Sequence, residues 1–484
     1  MARGLPHVEH LLRRAGFGAS TSDLEVFGNM STASAITRLI DYEQLPDDVD
    51  EKMGGPDYVG ITARGVFSPY QNIEDARQRW LFRMVHSQRP LQEKMTLFWH
   101  NHFATAYSKI AGIVGGAAAT KLMAHKTGAQ PGPPGQIELF RELGMGKFRD
   151  LLIAVAKDPA MIYWLDGNTN TRQRPQENFG REVMELFTFG IGNYTEQDVY
   201  AAARVFTGWN VRFTRGGDDA NSYYQFVFNA NQHEPSAKTF TFPIYSNGSM
   251  VIPARAAASG EQDGLDFLAA LARHPETARR LARKLWNFFV SEVVPPDQEF
   301  INSVVQVYLQ ADTEIRPVIH FILRSRQFQN LMHAYSRYAW PVEFVVRSIK
   351  EVGWSGYSID SARVPLTQMG QTLFEPPDVN GWDVGQGWFT SGSMLARMNY
   401  AASLAFNQRF NLGRAAAAAR SRPEDVIGFF LDRFSPATYD SEPYNGLLDY
   451  LRSGSAWTGS DAQLVVKASG LTRLIVGSSE YQLM

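Results

Sequence analysis

Not one of the 484 residues is cysteine. That removes disulfides, thiolate metal ligands and cysteine nucleophiles, and it leaves the compartment open. Net charge is equally scarce: 47 Lys and Arg stand against 49 Asp and Glu, so no overall field favours nucleic acid or an anionic membrane surface. No stretch approaches the roughly 18 uninterrupted apolar residues of a membrane span. The opening, MARGLPHVEHLLRRAGFG, has no apolar core of the about 7–15 residues that a secretory signal needs. The expectation for the chain as it stands is therefore cytoplasmic, with export beside a partner or through a removed signal left open. Familiar catalytic signatures are missing too: there is no GxSxG elbow, no GxxxxGK[ST] loop, no HExxH and no dinucleotide-type GxGxxG.

What is present is apolar and helical. With 44% hydrophobic and 20% charged residues, the chain can bury a large core. Leu91, Met95, Phe98, Trp99 and His102 follow helical spacing, as do Phe179, Val183, Leu186 and Phe187. Thr195 and Asp198 have capping-box spacing ahead of Val199, Ala202, Ala203 and Phe206. In HPETARRLARKLWNFFV, Pro275 suits the first helical position, and Leu281, Leu285, Phe288 and Phe289 form a stripe. Between residues 209 and 252 the texture changes to short β-prone runs, Tyr223 to Phe228 and Lys238 to Tyr245, separated by turn residues. The expected fold is mainly α, a large irregular bundle-like domain over residues 1–410 with a small β insertion at 209–252. A C-terminal helical extension, 411–484, is expected to pack on it.

The densest ligand chemistry lies between Asp166 and Glu185. Asp166, Asn168, Asn170 and Glu177 occupy positions one, three, five and twelve of a twelve-residue stretch, the spacing of a calcium-type loop. Thr171 stands where that loop needs glycine, and Arg172 and Arg174 add positive charge, so an ordinary Asx-rich turn is the competing interpretation. Beyond it, Asn178, Glu182 and Glu185 fall at i, i+4 and i+7, on one helix face. Glu177, Arg181 and Glu185 can form an ion-pair ladder without any function. Glu182 lies outside that ladder, on the flank of the apolar stripe, where a carboxylate wants a partner.

His100 and His102 are the natural partners, on a condition. Residues two apart on an α-helix point about 200° from each other and cannot share an ion. If the helix ends near Trp99 both imidazoles can converge; if it continues, one faces the core and the other faces away. One imidazole with Glu182 and Glu185 would suit Fe, Mn or Zn, while the twelve-residue loop would suit Ca²⁺. Among weaker candidates for substrate contact, His233 sits in a loop beside Glu234, and His274 can cap a helix or act as a ligand. Arg204, Arg280, Lys284 and Arg397 can bind an anion or merely pair with acids. Trp382 and Trp388, in the glycine-rich stretch Asp378 to Trp388, can stack on a sugar ring or close the core.

Several segments resemble a bacterial family described as a domain of unknown function, number eighteen hundred. They are HLLRRAGFG (His10 to Gly18), FWHNHFAT (Phe98 to Thr105), ENFGREVMELFTFGIGNYTEQDVYAAARVFTGW (Glu177 to Trp209), HPETARRLARKL (His274 to Leu285) and PPDVNGWDVGQGWFTSGSMLARMN (Pro376 to Asn399). The resemblance implies no activity and no catalytic residues. It implies at most a sulfatase-like protein partner, often exported with such chains. Two functions from different classes follow. One is a metal-dependent enzyme, hydrolytic or oxidative, in which Glu182, Glu185 and His100 or His102 hold a divalent metal in an inter-helix cleft. The other is a non-catalytic binding or assembly protein with ion-paired acids or a structural Ca²⁺, docking a small molecule, a glycan or a protein.

Overall fold

A computed structural model describes residues 6–484. These residues are 59% helical, in 24 helices, with two small two-stranded sheets. The fold is mainly α, as the 3.6-residue periodicity implies. In chain order, the elements that frame the site are α1 (Ile73–His86), α2 (Pro90–His102), α3 (Gln136–Leu143), α4 (Asn178–Glu182), α5 (Glu196–Val205), α6 (Glu261–Arg273), α7 (Pro275–Phe289), α8 (Pro341–Val352) and α9 (Ser391–Asn407).

Local sequence rules set several boundaries. Thr195 and Asp198 cap α5 reciprocally, the Asp198 amide donating to Thr195 Oγ1 and the Thr195 amide to Asp198 Oδ2, which satisfies two backbone donors that the helix itself leaves open. Pro275 occupies the first position of α7, and the His274 ring caps it by accepting from the Glu276 amide. The β insertion is a hairpin-like pair, β1 (Trp209–Thr214) antiparallel to β2 (Tyr223–Phe228), followed by the two-residue strands β3 (Lys238–Thr239) and β4 (Val251–Ile252). The alanine run after Gly413 is the end of a short helix followed by a 3₁₀ turn, Ala416–Ala419.

One continuous apolar core runs from Val8 to Met484. The C-terminal residues are tied into it by buried cations. Arg347 of α8 donates to the carbonyls of Phe434, Ser435, Tyr481 and Leu483, and Arg397 of α9 donates to Gln482 Oε1 and the Ala339 carbonyl.

Around the start of α2 the charges are buried but paired. Glu93, fully buried, accepts from Arg83 at 2.7 Å and bidentately from Arg141 at 2.9 Å. Arg79 joins Glu138 and Asp50, each at 2.7 Å. Burial alone would raise these carboxylates, but the guanidinium groups prevail: Glu93 is held below its ordinary value and Glu138 is lowered to about 2. This network locks α1, α2 and α3 together and so fixes the direction in which the far end of α2 projects.

Truncating Glu93 removes the carboxylate that Arg83 and Arg141 share and leaves these buried guanidinium groups with only Asp47, Asp50 and Glu138 as counter-charges, a loss of up to about 3–5 kcal/mol. Glu93→Ala is therefore expected to lower unfolding stability by that order in urea titration, and an unchanged midpoint would refute the network's role. Both carboxyls have folded values below their unfolded ones, so their contribution is full above about pH 4.5 and falls away as pH drops towards 2. Wild-type stability should decline through that window more steeply than that of Glu93→Ala.

Candidate functional site

The far end of α2 is where the chemistry gathers. The helix runs unbroken to His102, so His100, Asn101 and His102 fan out at about 100° intervals and each meets a different wall. His100 turns inward among Trp80, Phe374 and Trp382, with ring centroids at 5.3, 5.8 and 5.1 Å. Its Nε2 accepts the Phe374 amide at 3.2 Å, and burial lowers its pKa to about 3. Phe374 has φ of 65°, a costly conformation for a side chain of that size. It is held at both ends, because its carbonyl accepts the Tyr107 amide at 2.8 Å.

Asn101 holds the loop that follows. Its Oδ1 accepts the Trp382 amide at 2.7 Å. The neighbouring Gly381 has φ of +90°, and a Cβ there would lie 2.3 Å from the same oxygen, so only glycine fits. Glu292 fixes the loop's other end by accepting from the amides of Tyr338 and Gly385 at 2.9 and 3.0 Å.

His102 faces a cavity of about 750 Å³. The walls are Phe98, Phe288, Trp340 and Trp382, the loop Pro377 to Val384 closes one side, and Arg280, Lys284 and Asn287 of α7 line another. His102 Nε2 donates to the Phe187 carbonyl at 3.0 Å, which leaves Nδ1 as an acceptor for Lys284 Nζ at 3.1 Å. Burial, then the charges of Lys284 and Arg280, push His102 well below its ordinary pKa, so the ring is neutral. Lys284 sits at the edge of the α7 apolar stripe and reaches open space only through the cavity. Desolvation and then the neighbouring Arg280 cation bring its pKa down to about 7. His102 is its one hydrogen-bond partner among the described residues.

The Phe187 carbonyl is available because it lies in the last turn of its helical stretch, where carbonyls have no intrahelical partner. The helical stretch that begins at Asn178 ends in a π-helical turn, Val183–Phe187, whose terminal carbonyls point on to other partners. The Leu186 carbonyl accepts Arg280 Nη2 at 3.3 Å, so two consecutive carbonyls orient the two site cations, one of them through His102. Arg280 fits under Gly190, at φ of +85°, where a Cβ would come within 3.1 Å of Nη1. Its buried Nε has no hydrogen-bond partner among the described residues; the Glu185 charge acts on Arg280 without forming a salt bridge, and no carboxylate acts comparably on Lys284.

The expected acid pair stays together at the edge of the π turn but gains no imidazole partner. Glu182 is half-buried, raised by burial and then by Glu185. Glu185 accepts from the Tyr194 hydroxyl, and Arg181 pairs with Glu177 at 3.1 Å and Glu196 at 2.8 Å rather than with Glu185. His100 is separated from His102 by the helix's own geometry. Among the described residues no group of three or more His, Asp or Glu is placed to hold a metal ion, so the set His100, His102, Glu182 and Glu185 does not assemble.

The calcium-type loop is likewise dispersed. Asp166 pairs with Lys109 at 3.2 Å, and the main chain of Asn168 accepts from Asn210 at 3.3 Å. Asn170 spends its amide on the Ala203 carbonyl and the Gln176 amide, and Glu177 goes to Arg181. Of the substrate candidates, Arg204 is taken by Glu234 at 2.7 Å, and Arg397 by Gln482 Oε1 and the Ala339 carbonyl. His233 is fully buried, its Nδ1 on the Thr207 carbonyl at 2.9 Å and its Nε2 at 3.2 Å from Asp263. Arg280, Lys284 and Trp382 do line the cavity, Trp382 with a buried indole N–H that lacks a partner among the described residues. Asn101 carries no charge and gave no signal in the sequence. Arg280 and Lys284 did, being four apart beside an apolar stripe, although nothing local paired them with His102.

Four of the five segments that carry the family resemblance meet at this cavity: Phe98 to Thr105, Glu177 to Trp209, His274 to Leu285 and Pro376 to Asn399. A family model described as "Protein of unknown function (DUF1800)" matches residues 10–483. The chain belongs to that family. No curated protein and no solved structure matches it. Among the described residues of this DUF1800 chain, no helix is long and apolar enough to cross a membrane.

Lys284 gives a direct pH test. Its folded pKa, about 7, is below the unfolded value near 10.5, so between those values the unfolded chain binds the extra proton and stability rises with pH. Below pH 7 the penalty for burying the charge is fully present. Lys284→Met is expected to raise the melting temperature at pH 6, with the gain shrinking to nothing by about pH 10.5. A pH-independent difference would contradict the lowered value.

Proposed function

We propose that the chain binds a small organic anion in the cavity between the α2 terminus, α7 and the 377–384 loop. The observation that carries this is the placement of Arg280 and Lys284 one turn apart on α7, both lining an aromatic-walled space and neither in a salt bridge among the described residues, although the Glu185 charge acts on Arg280 at longer range. Unpaired cations in a poorly hydrated cavity are costly until a counter-charge arrives. A carboxylate, sulfate or phosphate at that wall would supply it, and would also meet the unpartnered Arg280 Nε. The aromatic walls suit the body of a ligand, and the volume falls in the usual range for small-molecule sites, roughly 300–1,000 Å³. Asp378 and Asp383 on the loop side favour hydrogen-donating groups at the ligand's other end.

An anion beside Lys284 favours its protonated form, so binding takes up a proton and tightens as pH falls through about 7. The test is a calorimetric and tryptophan-fluorescence titration with a panel of small carboxylates, sulfate esters and phosphate esters, each against its uncharged ester or alcohol. Saturable binding of charged members only is expected, stronger at pH 6 than at pH 9. Arg280→Gln should weaken it at least tenfold, about 1.4 kcal/mol or more. If no charged member binds at pH 6, or if the uncharged analogues bind as well, the proposal falls.

A further inference from the structure

We infer that the anion is a 2-oxo acid, whose carboxylate lies against Arg280 and whose carbonyl carbon forms an imine with Lys284. This rests on the anion-binding cavity proposed above and names its ligand class. Arg280 and Lys284 are at i and i+4 of α7, so their side chains are neighbours on one face. An acid held by the guanidinium places its adjacent carbon towards the amine, and only an electrophilic carbon there makes use of a nucleophile.

The surroundings of Lys284 suit that use. His102 Nδ1 accepts one N–H at 3.1 Å, and the Phe187 carbonyl prevents the ring from turning its own N–H towards the amine. Among the described residues no carboxylate pairs with Nζ to hold it as an ammonium, and Arg280 opposes its charge. A neutral amine so placed keeps its lone pair for the cavity, and its lowered pKa supports a usable neutral fraction near pH 7. Such an amine adds to the carbonyl carbon, a proton passes from nitrogen to oxygen to give the carbinolamine, and the hydroxyl leaves with one more proton as water. The C–N double bond replaces the C–O double bond, no electrons are exchanged, and no co-reactant is needed. The ring-sized space beyond, walled by Phe98, Phe288, Trp340 and Trp382 and facing Asp378 and Asp383, accepts an aromatic substituent carrying a hydroxyl.

The probe pair is 4-hydroxyphenylpyruvate and 4-hydroxyphenyllactate, identical except for the carbonyl. Full-length protein is incubated with each at pH 7.5, treated with cyanoborohydride, digested and mapped by mass spectrometry, with calorimetric binding measured in parallel. Both acids should bind, but only the oxo acid should leave a stable adduct, the mass of the acid less one oxygen, and on Lys284 alone. Arg280→Gln should cut the yield at sub-saturating acid at least fivefold, and Lys284→Arg should abolish it even at saturating acid. Binding of both acids without an adduct, or an adduct spread over other lysines, overturns the imine and leaves the anion site standing. Failure of both to bind overturns this ligand class, and the wider anion panel then decides the underlying site.

Discussion

The arrangement depends on one hydrogen-bond relay, from Lys284 Nζ through the His102 ring to the Phe187 carbonyl. A neutral imidazole has one donor and one acceptor nitrogen, and its neighbour decides which is which. Because a carbonyl only accepts, Nε2 must carry the proton and Nδ1 must present its lone pair to the cavity side. The lysine is thus steered by an acceptor that carries no charge. A carboxylate in place of His102 would steer it equally well and would stabilise the ammonium, which would raise the pKa instead of lowering it.

The same end of α2 solves a positioning problem with three successive residues. A helix cannot aim neighbours at one point, but it can hold three walls in a fixed mutual orientation. His100 holds the strained Phe374, Asn101 holds the Trp382 amide, and His102 holds Lys284. Movement of the loop against α7 would have to break a contact to this one rigid terminus, whose other end is anchored by Glu93 and its two arginines. The buried network at the base of α2 therefore bears on the site although it lies away from the cavity.

Helices, caps and the β insertion were legible because they follow local rules. The 3.6-residue stripe, the Thr195–Asp198 box, Pro275 at a helix start and turn residues between short β runs all act within a few residues of one another. The site was legible only in pieces. The segment around His100 to His102 stood out, but helical continuation through His102, which decides whether two imidazoles converge, is set by packing against distant elements. Glu182 and Glu185 are neighbours, as their spacing implies, but that no third ligand joins them among the described residues is set by long-range packing, and no simple sequence signature marks the π turn at Val183–Phe187. Arg280 and Lys284 could be placed together on α7, yet whether each would find an acid partner depended on contacts some 90 to 180 positions away in the chain. The calcium-type spacing failed for a related reason: Asn170 and Glu177 were claimed by backbone groups and by Arg181, competitors that spacing does not reveal.

The treatment of buried cations within the chain sharpens the contrast. Arg79, Arg83, Arg141, Lys94 and Arg337 each meet a carboxylate at 2.7 Å or closer, or bidentately, and Arg397 meets two oxygens. Arg280 has one carbonyl at 3.3 Å and an idle Nε; Lys284 has one imidazole nitrogen. Burial without compensation is destabilising, and a fold under no other demand would replace Lys284 with an apolar residue continuous with Leu281, Leu285 and Phe288. Arg14, fully buried with one carbonyl partner and two unpartnered nitrogens, carries a similar cost in closed core; what sets Arg280 and Lys284 apart is that theirs falls beside a cavity, against a loop held by Asn101 and Glu292. A penalty that a bound anion would relieve, located where an anion can enter, is the physical signature of a site kept ready for its ligand.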